Sequence, residues 1–126
     1  MCVMGVLVES QRVRRGHRFY PEAWQWAGIP GLLGQDGLGD RAIVFLHYFV
    51  AGCDWWVSEV DAATGEAFGW ADLGCGEFGY MCLPELEAVT VGGLVVERDL
   101  GWAPVPLWQA LGREQPHSRL MVGQPS

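Results

Sequence analysis

Glu59 and Asp61 stand two residues apart, and so do Glu97 and Asp99. On a strand that spacing puts two carboxylates on one face, where they could hold Mg²⁺ or divide the work of an acid and a base. The solvated face of a sheet shows the same spacing, with Arg41 and Arg98 near in sequence to compensate the charge. No D-x-D-x-D loop accompanies either pair. His17, His47 and His117 are isolated. His47 lies inside the most apolar stretch, where burial could tune it as a base, although a packed, hydrogen-bonded histidine is the commoner outcome. Ser10, Ser58, Ser118 and Ser126 lie in no G-x-S-x-G turn. No catalytic residue is therefore assigned.

Metal and nucleotide chemistry fare no better. Cys53, Cys75 and Cys82 with His47 can be drawn as four zinc ligands, but their spacings match no zinc pattern and the chain holds no C-x-x-C pair. All four cysteines, Cys2 included, read as free thiols. Gly74-Cys75-Gly76 with Gly79 resembles a glycine-rich loop. A phosphate cradle would need a following Lys or a strand–loop–helix unit, and there is no Lys in the chain. No cofactor and no metal are expected.

The chain that must position these groups has 126 residues, half of them apolar and 18% charged. It is one domain's worth of protein, able to bury a core. Eight Arg against fifteen acids leave a net charge of −7, which argues against a direct, non-specific nucleic-acid binder. No apolar run approaches the ~20 residues that span a bilayer, so no membrane is expected. Met1 to Val8 is apolar, but Arg12, Arg14 and Arg15 follow it, whereas a secretory signal has its positive charge first. A cytoplasmic location is the expectation. The charge is uneven: residues 21–112 carry thirteen acids against Arg41 and Arg98.

Periodicity places strands through the middle. Ala42 to Val50 reads as a central strand buried on both faces. Ala51 to Asp54 reads as a turn and Trp55 to Val60 as the next strand, with Trp56, Ser58 and Val60 on one face. Asp61 to Glu66 is a hairpin loop with Gly65 available for positive φ, and Ala67 to Leu73 returns. Gly79 to Cys82 and Leu94 to Leu100 are further strands. Pro84 to Val89 and Pro106 to Leu111 read as helices, each opened by Pro, the second closed by Gly112. The fold class is α+β, an antiparallel meander of four to five strands with two short helices, over a single domain 1–126. Residues 1–40 are only loosely assigned, with a helical turn over Pro21 to Ala27 and loop over Gly28 to Asp40. Residues 113–126 read as a flexible tail.

Seven tryptophans are many for so small a core. Adjacent Trp55 and Trp56 must point to opposite sheet faces, so one indole is expected at a surface. Aromatic side chains anchor protein contacts. With Trp55, the accessible acids Asp61 and Glu66 at the hairpin, Glu77 in the glycine-rich loop, and Glu85 and Glu87 on the first helix form the candidate partner-binding surface.

Across Arg41 to about Pro104 the chain resembles a small uncharacterised family, a domain of unknown function carried on bacterial plasmids, integrative elements and phages. The residues that carry the resemblance are Trp56-Val-Ser-Glu59-Val-Asp61, Ala67-Phe-Gly-Trp70-Ala-Asp72-Leu-Gly74, Glu77-Phe-Gly-Tyr80 with Leu83-Pro-Glu-Leu-Glu87, and Val96-Glu-Arg-Asp99-Leu. Pro84 departs from it, standing where the family has a small hydroxyl residue. The resemblance implies an accessory gene that travels with antirestriction and plasmid-maintenance functions. The expectation is a non-enzymatic protein that binds a host or element-encoded protein. Its specific form is an acidic anti-defence inhibitor, mimicking nucleic acid against a nucleic-acid-binding defence protein. The alternative is a small metal-dependent hydrolase using the sheet carboxylates.

Overall fold

A computed structural model describes residues 7–115. Five strands, β2 (Leu46–Val50), β3 (Cys53–Val60), β4 (Glu66–Asp72), β5 (Gly76–Cys82) and β8 (Glu97–Arg98), form one antiparallel sheet in the order β5-β4-β3-β2-β8. Short connections make the β2–β5 part a meander, as the spacing of the apolar runs requires. Two small ladders flank it: β1 (Ile43–Val44) with β9 (Val105–Pro106), and β6 (Thr90–Val91) with β7 (Leu94–Val95). The helices are α1 (Arg12–Arg15), α2 (Ala23–Ala27), α3 (Leu83–Ala88) and α4 (Leu107–Ala110), with a 3₁₀ turn at Gly39–Arg41. The described residues thus hold four short helices where two were expected. No helix among the described residues is long and apolar enough to cross a membrane.

One face of the sheet holds the core. Leu46, Tyr48, Val50, Trp55, Val57, Val60 and Ala67 point into it, and Phe19, Tyr20, Ile29, Leu83 and Val96 cover them. The described segment before residue 40, only loosely assigned by pattern apart from its helical turn at Ala23–Ala27, therefore covers the core. Phe19 stacks on Tyr48 with centroids 4.3 Å apart, and the Tyr48 hydroxyl donates to the Phe19 carbonyl at 2.8 Å. Burial of an aromatic of this size stabilises by about 1.5–3 kcal/mol.

Strand β2 alternates. Leu46, Tyr48 and Val50 are buried while His47 and Phe49 are half-exposed, so it is not the doubly buried strand expected from its composition. Its continuation, β1, is detached from the sheet by a side chain. The Gln35 carboxamide accepts from Ile43 N–H at 2.7 Å and donates to the carbonyls of Ile43 and Ser58 at 2.9 Å each. It replaces a neighbouring strand at that point.

Two local features set the register. Val50 pairs with Cys53 across a two-residue turn in which Ala51 and Gly52 both have positive φ, the conformation that matches the strand twist. A bulge between Val57 and Glu59 resets the alternation of β3. Trp56 and Glu59 consequently share the face opposite the core, facing Trp70 and Phe68, while Val60 joins Trp55 and Val57 inside. The expected grouping of Trp56, Ser58 and Val60 fails for this reason. The bulge also needs Gly69: a Cβ there would lie 1.9 Å from the Trp56 carbonyl oxygen.

Candidate functional site

Among the described residues the second face of the sheet is not closed by another layer. Register puts Trp56, Phe68, Trp70, Phe78 and Tyr80 on it, from β3 out to the edge strand β5. The rings form a continuous ladder. Trp70 meets Phe78 edge-on at 4.8 Å, Phe68 meets Tyr80 at 5.0 Å, and Phe68 lies parallel to Phe78 at 6.1 Å. Tyr80 remains 58% exposed and Phe78 39%. On the far side of the ladder, the loop before β1 leaves a cavity of about 190 Å³ bordered by Gln35, Asp36, Ser58, Glu59, Phe68 and Phe78. A larger apolar cleft of about 390 Å³ lies between Trp24, Ile29, Phe45, Trp102 and Pro104.

His47 marks the inner end of this face. Its Nε2 lies 2.8 Å from Asp54 Oδ1 and its Nδ1 3.1 Å from Asp99 Oδ2. Its ring stacks on Trp56 at 5.1 Å with planes 5° apart, and Trp102 flanks it at 5.2 Å. With both nitrogens engaged, none is turned toward a substrate. The ring ties β2 to β3 and to the residue after β8.

The paired carboxylates do not act as pairs. Both Glu59 oxygens accept backbone N–H groups, from Leu33 and Gln35 at 2.8 Å each. Asp61 lies in the hairpin and accepts from Ala63 N–H at 3.0 Å. Asp99 holds His47, while Glu97 is exposed, 3.7 Å from His17. Among the described residues no three His, Cys, Asp or Glu side chains converge as a metal site would require.

The candidate surface read from the sequence divides. Glu77 and Glu85 are exposed, and Asp61 and Glu66 are half-buried at the two ends of the β3–β4 hairpin. Trp55 and Glu87 are corrections. Trp55 is 8% exposed and packs in the core, because its side of β3 is the covered one; Trp56 is the indole at the open face. Glu87 is 2% exposed. It accepts from Ser10 N–H and Oγ at 2.9 Å, Gln11 N–H at 2.8 Å and Arg15 NH1 at 3.1 Å. Burial pushes the Glu87 carboxyl up, but these bonds together outweigh it and hold it below the usual carboxylate range. The expected thiols also need correcting: Cys53 and Cys75 are free, whereas Cys82 is disulfide-bonded. Spacing along the chain carries no signal for such a pairing.

A family model described as "Protein of unknown function (DUF2958)" matches residues 35–111, more than half of the chain. The chain belongs to the DUF2958 family. No curated protein and no solved structure matches it. The DUF2958 region starts at Gln35, the residue that detaches β1, and ends beyond α4. It contains the whole aromatic ladder, His47 and its two carboxylates. The lid of the core, residues 7–30, lies outside the DUF2958 match.

Between Ala42 and Glu97 the DUF2958 chain has nine carboxylates and no Lys or Arg. Strands β2 to β5 thus bring no Lys or Arg of their own to the open face. Composition showed the acidity of this region.

Proposed function

We propose that this DUF2958 protein acts without catalysis, by binding another protein through the open aromatic face of β3, β4 and β5. The observation that supports the reading most directly is the ladder running from half-buried Phe68 and Trp70 out to exposed Phe78 and Tyr80, on strands that carry no Lys or Arg. Exposed contiguous aromatics mark interaction surfaces, and an acidic surround favours a basic partner by steering its approach. The finer reading is an accessory protein of a mobile element in the cytoplasm, an anti-defence inhibitor whose carboxylates occupy a nucleic-acid channel of a host defence protein. The family resemblance supports that context.

The test compares three forms of the protein as bait in a host lysate: wild type, F78A/Y80A, and a variant with Asp61, Glu66, Glu77 and Glu85 neutralised. A protein retained by wild type and lost from F78A/Y80A is the expected result. The neutralised variant should associate with it more slowly and with a flatter salt dependence, since steering acts on the on-rate. Equal retention by all three would overturn the reading.

A further inference from the structure

The open face already holds one guanidinium. Arg113, just beyond α4, lies with its Cζ 4.9 Å from the centre of the Trp70 ring, and its NH1 donates to Asp40 Oδ2 at 3.0 Å. We propose that Trp70 and Asp40 form a seat for an arginine side chain, which Arg113 fills in the free protein and an arginine of the bound partner takes over on docking. This rests on the binding role proposed above and names the chemistry by which that face would recognise its partner.

The seat is built rather than incidental. The Trp70 indole lies directly over Gly76, where a Cβ would come within 2.4 Å of its Nε1, so only glycine lets the ring settle there. Phe78 meets the same indole edge-on and fixes its plane. Asp40 is held in the 3₁₀ turn of Gly39–Arg41, which packs against α4. An oriented indole face with a carboxylate at its rim suits the planar guanidinium, which stacks and donates at once, better than it suits an ammonium. Tryptophan is the strongest of the aromatic partners for such a cation.

Arg113 is also an exchangeable occupant. Its side chain is 46% exposed in the occupied seat, and it lies past the last helix of the fold. Charge complementarity selects the incoming group, because residues 42–97, which include β2 to β5, carry acids and no Lys or Arg. A second copy of this chain would bring another acidic sheet, so a basic segment bearing arginine is the occupant that fits.

The probe is N-acetyl-arginine amide, with N-acetyl-lysine amide as the control for charge and ionic strength. The readout is the Trp70 indole N–H resonance, assigned by its loss in W70F. Arginine amide should shift it saturably in R113A, with an affinity at least about threefold above wild type, because the tethered competitor is gone. D40N in the R113A background should weaken binding, and R113K should lie between R113A and wild type. Circular dichroism establishes that each variant is folded. No saturable shift in folded R113A, equal affinity in R113A and wild type, or equal binding of lysine amide would each overturn the seat. Any of these outcomes alongside loss of the lysate partner from F78A/Y80A would leave the binding face standing without the arginine seat.

Discussion

Arg15 and Glu87, 72 residues apart in sequence, meet at 3.1 Å in a position where both side chains are almost wholly removed from solvent. Arg15 also donates Nε to the Val96 carbonyl at 2.6 Å and NH2 to the Glu87 carbonyl at 2.8 Å, and lies 4.8 Å over the Phe19 ring. One guanidinium thus joins α1, the end of α3, the core strand edge and the lid. Every polar atom in this group has a partner, which is what permits two charges to be buried together.

Glu87→Gln should destabilise the protein by about 2–4 kcal/mol, because buried Arg15 would lose the nearer of its two carboxylates and keep only Glu9 at 3.5 Å. Equilibrium urea unfolding measures it. A loss below ~0.5 kcal/mol, the range of ordinary surface changes, would show that the pair is a surface contact in solution.

The same pair predicts acid sensitivity. The folded state holds the Glu87 carboxyl below its ordinary value of 4.5. The stability this supplies is fully present above that value and is lost as pH falls through the lower folded value. Unfolding free energy should therefore decline below pH 4.5 more steeply for wild type than for Glu87→Gln, which has no proton to take up there. Parallel pH profiles for the two proteins would contradict the arrangement.

Tyr20 gives the opposite kind of test. Its ring is buried against Phe19 and Trp26, but its hydroxyl has no hydrogen-bond partner among the described residues. Burial, with Glu87 and Glu9 nearby, pushes the phenol's pKa well above its usual value, so it stays neutral. Tyr20→Phe removes an unsatisfied polar atom and keeps the ring. It should raise stability by about 1 kcal/mol. Thermal unfolding that finds Tyr20→Phe less stable than wild type would mean that the hydroxyl has a partner after all.

Cysteine chemistry separates the three described cysteines. Alkylation of the unfolded, unreduced protein should label Cys53 and Cys75, and peptide mass mapping should find Cys82 labelled only after reduction. Disulfides persist in oxidising compartments, so the state of Cys82 in protein taken directly from cells also reports on location. Full labelling of Cys82 without reductant would contradict the bond.

Much of the sheet was legible because its cause is local. The apolar runs read at 42–50, 55–60 and 67–73 are separated by connections too short for any crossover, and this alone makes the neighbouring strands, observed at 46–50, 53–60 and 66–72, antiparallel. Pro84 and Pro106 mark the starts of α3 and α4 to within one or two residues, since a missing N–H is harmless only there. The acidity of the central segment is likewise a property of composition. The faces were another matter. One extra residue in β3 inverts what lies beyond it, so Glu59 and Val60 exchanged sides, and no pattern of period two contains that information. Segment 7–40 has no period to read, because its ordering comes from distant partners: Glu87 and Val96 for Arg15, Glu59 for the backbone at Leu33 and Gln35, and Tyr48 for Phe19. A carboxylate that reads as surface in sequence is buried when several donors converge on it, and that convergence exists only once the chain has folded.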